Sequence, residues 1–166
     1  QEYPKINNEW KDGRSHHTQN KWTLPLIKNG VANELMAELS SKEFLVYLSE
    51  LTLVPNIITD SDFAGAGYHQ STNGGFLNVH VDFNKLNSNN LILDRRLNLL
   101  VYFNKNWSSD KGGYLELWDM EKKLKIENIS PSFNRCVIFE TNEISFHGHP
   151  KPLKLNLNET RKSISV

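Results

Sequence analysis

The sequence has one cysteine, Cys136, among 166 residues. No disulfide can form within the chain, and the usual mark of an oxidising compartment is missing, so cytoplasm is the expected location. Charge of one sign is lacking too: Lys+Arg and Asp+Glu each number 19, and the formal net charge is +0. Without a global field, nucleic acid and anionic lipid are not expected partners, and binding must come from a local site. Long apolar runs are also absent. Stretches such as Leu99 to Phe103 fall far short of the roughly 20 residues a membrane-spanning helix needs, and no charged-then-apolar leader opens the chain. No repeat or low-complexity segment interrupts it. The expectation is a soluble, single domain over residues 1–166 with a real core.

What is present changes character along the chain. Residues 1–25 are polar, with Trp10 and Trp22 as isolated anchors, and read as an arm or irregular cover. From Val31, apolar residues at Leu35, Met36 and Leu39 fall at helical intervals. Ser40 and Glu43 then have capping-box spacing ahead of Phe44, Leu45, Leu48 and Leu51. Two helices are expected within 30–52, ending before Pro55. Beyond it, glycines and alternation take over. Strands are expected at Phe76 to Asn84, Leu97 to Asn104, Tyr114 to Asp119, Lys122 to Ile126, Arg135 to Glu140 and Arg161 to Val166. Asn87 to Asn90 reads as a loop. Gln70 to Asn73, Lys85 to Asp94 and Trp107 to Lys111 are expected rim loops. Helices followed by many short strands predict an α+β domain on a β-sandwich or jelly roll, its core in 63–166.

The chemistry concentrates in Leu77-Asn78-Val79-His80-Val81-Asp82-Phe83-Asn84. Alternation predicts a packed apolar face (Leu77, Val79, Val81, Phe83) and an opposite face with an imidazole and a carboxylate two residues apart. On its own this pair reads as a hydrogen-bonded surface pair before it reads as half of a metal site. Two ligands hold a metal poorly, so a third is sought, and His147 and His149 are the candidates. A facial His-x-Asp with a distant His leaves coordination positions open, which suits non-haem iron(II) better than zinc. Arg161, Ser163 and Ser165 share a face of the last strand, and the guanidinium could clamp a dicarboxylate beside the metal. Asn98, Leu100, Tyr102 and Asn104 share a face of another strand, from which Tyr102 could offer its hydroxyl. Asn78 and Asn98 are expected to orient the ligands.

With these residues in place, the segments GGFLNVHVDFN, RRLNLLVYFNKNW, GGYLELWD, FNRCVIFETNEISFHGHP and RKSIS resemble, in order and spacing, the Fe(II)- and 2-oxoglutarate-dependent oxygenases of the prolyl 4-hydroxylase-like branch. The resemblance runs from about Phe63 to Val166. It implies a double-stranded β-helix (jelly-roll) core with N-terminal flanking helices, and Fe(II) at His80, Asp82 and His147. It places the 2-oxoglutarate distal carboxylate on Arg161, supported by Ser163 and Tyr102. Tyr68 resembles a tyrosine that contacts 2-oxoglutarate in some members. It selects His147 over His149 as the ligand. The implied reaction uses O2, with ascorbate as a reductant, to hydroxylate an unactivated C–H bond with release of succinate and CO2. A prolyl residue of a peptide or protein leads as the substrate, ahead of free amino acids or saccharide-linked groups. Two alternatives stand beside it. One is a non-catalytic jelly-roll module binding carbohydrate through Trp107, Tyr114 and Trp118; the other is a metal-dependent isomerase or hydrolase on a cupin-like barrel.

Overall fold

The computed structural model describes residues 3–25, 31–60, 63, 65–88, 91–119 and 121–166. Two strands come first, β1 (Lys11–Asp12) and β2 (Thr18–Pro25), then helices α1 (Val31–Leu39) and α2 (Lys42–Thr52). The remaining strands are β3 (Gly67–His80), β4 (Lys85–Ser88), β5 (Leu91–Asp94), β6 (Leu97–Tyr102), β7 (Leu115–Trp118), β8 (Lys125–Ile129), β9 (Cys136–Glu140), β10 (His147–His149) and β11 (Arg161–Ser165).

The main sheet runs β8-β7-β10-β3-β11-β6-β9, with β2 paired along β3 and β1 on β2. Every pairing in it is antiparallel. Strand β3 organises the layout. Its first half pairs with β11 through Ser71↔Arg161 and His69↔Ser163, and its second half pairs with β10 through His80↔His147. Residues from β2, β3, β6, β7, β10 and β11 line one common cavity, so the sheet curls around it. This is the expected jelly-roll core.

Helix α2 starts where a side chain can satisfy its free amides: Ser41 Oγ accepts from Phe44 N at 3.1 Å. Ser40, the residue expected to cap, instead buries its hydroxyl without a partner. The helices cover the sheet face away from the site. Leu39, Phe44, Leu45 and Leu48 meet Leu97, Leu99 and Val166 around an apolar cavity of about 400 Å³. Alternation along β6 and β11 therefore sends Leu97, Leu99 and Val166 toward the helices, and Asn98, Leu100, Arg161, Ser163 and Ser165 toward the other cavity.

Three expectations are corrected by strand pairing. Residues 18–25 are not an irregular cover but strand β2, paired with β3 through Lys21↔Ser71 and Thr23↔His69. Of its polar residues, Lys21 lines a polar cavity, while Thr18 and Asn20 bond the backbone of β3. Asn87 falls in a β-hairpin, β4–β5, rather than a loop. Gln70 and Ser71 are buried strand residues, not rim. The extrusion comes just after them: between Lys21↔Ser71 and Gln19↔Phe76, β2 advances two residues while β3 advances five, pushing out 72–75. That loop is pinned by Asn73 Oδ1, which accepts from Leu155 N, and by paired backbone bonds between Leu153 and Gly74/Gly75.

Candidate metal centre

His80 and His147 face each other across β3 and β10, their rings 4.6 Å apart, and Asp82 closes the third side. Asp82 Oδ1 lies 3.3 Å from His80 Nε2, and its Oδ2 lies 3.5 Å from His147 Nε2. One ligating atom from each residue fits within a sphere of mutual distances no greater than 4.8 Å. The backbone selects the tautomers. His80 Nδ1 sits 2.8 Å from Asn78 O, and His147 Nδ1 sits 3.0 Å from Ser145 O. A carbonyl can only accept, so each Nδ1 donates its proton and each Nε2 keeps a lone pair for the shared point. Two neutral imidazoles and a carboxylate on one side of a cavity suit a divalent metal with open positions.

The electrostatics keep these donors ready. Burial pushes the Asp82 carboxyl up, but its contact with His80 and the neighbouring His147 and Arg95 outweigh it and hold the pKa at about 2. Burial lowers His147, against its Ser145 bond and Asp82, and so keeps it neutral. Asn98 Nδ2 donates to Asp82 Oδ2 at 2.6 Å, and Arg95 Nη1 stands 3.7 Å from the same oxygen. Asn98 thus holds the Asp82 carboxylate, whereas the Asn78 side chain donates outward to His16 O.

Strand pairing changes the phase that alternation along residues 77–84 predicts. From His147 to His149, β10 advances two residues, while β3 advances three from Leu77 to His80. This bulge flips the phase of β3, so His80 faces the cavity together with Leu77 rather than with Asn78. Strand β3 ends at His80, and Asp82 is delivered by the following irregular segment. Val81 and Phe83, expected to pack, are 36% and 47% exposed.

From the metal point the cavity, about 150 Å³, extends inward to Arg161. This guanidinium is buried. Its Nε donates to Gly113 O at 2.7 Å, and its Nη2 donates to the Tyr102 hydroxyl at 3.3 Å. Tyr102 is fully buried under it, and burial raises the phenol, which stays protonated. Ser163, Ser165, Ser71, His69 and His149 line the same space. His69 is held down at about 3 by burial and by the charges of Lys21 and Arg161, and burial also lowers His149 well below an ordinary imidazole. Both are neutral. Tyr68 is on the opposite face of β3, edge-on to Tyr3 at 5.3 Å, so the contact expected of it is not made. Sequence reading missed Arg95 and Lys21. The Arg95-Arg96 pair opening β6 was a usable signal for the first, and the Lys21/Thr23 against Trp22/Leu24 alternation for the second. Of the aromatic residues proposed for carbohydrate, Trp107 Nε1 donates to Gly112 O and Trp118 Nε1 to Glu116 Oε2.

Gly113 holds Arg161 in place. Its φ is +69°, and an added Cβ would lie 2.4 Å from Leu153 Cδ2 and 3.0 Å from Arg161 Cδ. Leu153 is fully buried and cannot retreat. Gly113→Ala is therefore expected to destabilise the fold by about 1–3 kcal/mol and to displace the guanidinium. Chemical denaturation reads the first effect. Intact metal binding with weakened anion binding reads the second.

Comparison with known proteins agrees with this geometry. The sequence profile of the 2OG-Fe(II) oxygenase superfamily matches residues 66–166. A curated mouse protein, prolyl 3-hydroxylase OGFOD1, is 35% identical over 57 residues, covering 32% of this chain and 10% of the relative. The chain thus spans about a tenth of that relative's length in the match. Among solved structures, a Pseudomonas putida prolyl-4-hydroxylase aligns at TM-score 0.59 and 16% identity, over 95% of this chain and 75% of that one. A Trichoplax adhaerens prolyl hydroxylase, in complex with a hypoxia inducible factor oxygen degradation domain peptide fragment, aligns at 0.60 and 17%, over 95% and 69%. These structural likenesses establish the fold. The chain belongs to the 2OG-Fe(II) oxygenase superfamily, and the cofactors that go with it are Fe(II) and 2-oxoglutarate with O2.

Proposed function

We propose that residues 1–166 form a single oxygenase domain, an Fe(II)- and 2-oxoglutarate-dependent dioxygenase that hydroxylates an unactivated C–H bond of a peptide, at a prolyl residue. One observation carries the reading: a His80/Asp82/His147 cluster and a buried Arg161 share one cavity. A binding module has no physical need for that combination, and a hydrolase or isomerase metal site does not account for Arg161.

In this reading His80 and His147 bind iron through Nε2, and Asp82 binds it through a carboxylate oxygen. Bound iron with 2-oxoglutarate and O2 supplies an oxidant strong enough for an aliphatic C–H bond, with succinate and CO2 as coproducts. The chain's own task is orientation, and no side chain has to act as a general base. Arg161 takes the distal carboxylate of 2-oxoglutarate, and its Tyr102 and Gly113 contacts set the guanidinium plane. Ser163 lines the same end and offers a hydroxyl. Arg95 and Phe83, the cation 4.6 Å over the ring, line both this cavity and the apolar one. The prolyl assignment draws on the hydroxylases that share the fold.

The test is incubation with Fe(II), ascorbate, 2-oxoglutarate and proline-containing peptides, following succinate and peptide mass together. The expected result is succinate formation matched by the gain of one oxygen atom on proline. Failure to bind 2-oxoglutarate would overturn the oxygenase reading. Turnover confined to non-prolyl compounds would overturn only the substrate class.

A further inference from the structure

Strand pairing brings a second cation into the inner end of the cavity. Lys21 on β2 and Arg161 on β11 both stand opposite Ser71 of β3. Lys21, Ser71 and Arg161 therefore form one cross-strand row on one face of the sheet, and all three line the cavity that holds His80, Asp82 and His147. Among the described residues, the Lys21 side chain has no hydrogen bond or ion pair; its backbone carbonyl is engaged by Gly13 N. The only acidic side chain lining the cavity among the described residues is Asp82, which is engaged by His80, His147, Asn98 and Arg95.

Two cations without a counter-charge at the closed end of a cavity are unfavourable unless an anion joins them. The neighbours add no negative charge. His69 is neutral, and His149 buries an Nδ1 that has no partner. Arg161 keeps its Nη1 hydrogens and one Nη2 hydrogen for an anion, since Nε is spent on Gly113 O and one Nη2 hydrogen on Tyr102. A carboxylate offers about four acceptor sites, more than one guanidinium edge fills, so a second cation can share it.

We propose that Lys21 is a binding residue for the distal carboxylate of 2-oxoglutarate, sharing it with Arg161 across Ser71. The inference rests on the oxygenase reading above and adds to it a residue from the N-terminal strand. It makes β2 part of the cosubstrate site.

The free protein offers a readout that a structural role would not move. Burial and Arg161, opposed by Asp82, hold the Lys21 ammonium down at about 8. The groups that face it are Arg161 on β11, His69 on β3, His149 on β10, and Asp82 beyond β3. A carboxylate arriving beside Lys21 favours its charged form. Binding near pH 8 must then take up a proton, on the order of half of one per ligand, and affinity must fall as pH rises past 8.

The experiment is calorimetric titration of the Mn(II)-loaded protein with 2-oxoglutarate and with pyruvate, which lacks the distal carboxylate, in two buffers of different ionisation enthalpy. Lys21→Met is expected to weaken 2-oxoglutarate at least about tenfold, leave pyruvate unchanged and abolish proton uptake. Lys21→Arg is expected to keep the affinity and lose the uptake. Unchanged 2-oxoglutarate affinity in Lys21→Met, or equal losses for both ligands, would overturn the proposal. So would the absence of proton uptake in the unsubstituted protein, a result that needs no variant to fold. Unsubstituted protein that binds Mn(II) but not 2-oxoglutarate would instead overturn the oxygenase reading, and this one with it.

Discussion

Asp82→Ala is expected to abolish retention of a divalent metal while the chain stays folded. Asp82 supplies the only negative charge in the ligand cluster, and it sits between two neutral imidazoles. With the carboxyl held at about 2, that charge is present across the whole neutral and mildly acidic range. Below its ordinary value His147 stays unprotonated, so acid displaces metal later than free imidazoles would suggest. Loss of the carboxylate should cost more than the roughly 10–100-fold typical of removing a supporting partner. It also strips Asn98 Nδ2 and Arg95 of their acceptor. A stability loss of about 1–3 kcal/mol follows from the unpartnered donors. Mn(II) or Co(II) titration reads the affinity, and urea denaturation of the metal-free protein reads the stability. Metal affinity equal to that of the unsubstituted chain would remove Asp82 from the ligand set.

Arg161→Ala separates the two ends of the cavity. No contact of Arg161 involves His80, Asp82 or His147, so metal affinity should be unchanged. Affinity for 2-oxoglutarate should fall by about 10–100-fold, the worth of charge-assisted bonds to a carboxylate at roughly 1.5–3 kcal/mol. The fold pays part of the change, since Gly113 O and the Tyr102 hydroxyl each lose a donor. One cation fewer also relieves Lys21, which Arg161 depresses, so the Lys21 ammonium should titrate higher than about 8 in the variant. Lysine-specific NMR titration checks that sign. If metal and 2-oxoglutarate affinities fell together, the two-ended description of the cavity would fail.

The sequence was most readable where strands are regular. Along β6 and β11, period-two alternation correctly grouped Asn98 with Tyr102 and Arg161 with Ser163, because no bulge intervenes in their pairings. It misled along β3, where phase depends on how many residues β10 and β2 oppose to it, and a neighbour's register is not written in β3 itself. The same reason hid Lys21. A lysine in a polar stretch looks solvated until a distant strand turns that stretch into the wall of a cavity. Tyr68 failed in the opposite way: a role borrowed by resemblance met an alternation that points the ring toward Tyr3. At α2 the miss was a single residue, Ser41 in place of Ser40, since both serines precede the helix and only the backbone turn decides which hydroxyl reaches Phe44 N.

One strand, β3, contributes Ser71 beside the cations and His80 to the candidate metal cluster. Were it straight, the nine steps between them would separate the two ends by about 30 Å. The extruded residues 72–75 and the bulge before His80 take up chain without taking up length. The strand thus acts as a folded ruler. Its slack, anchored on Leu153 and Leu155, sets how long a molecule must be to touch both ends at once.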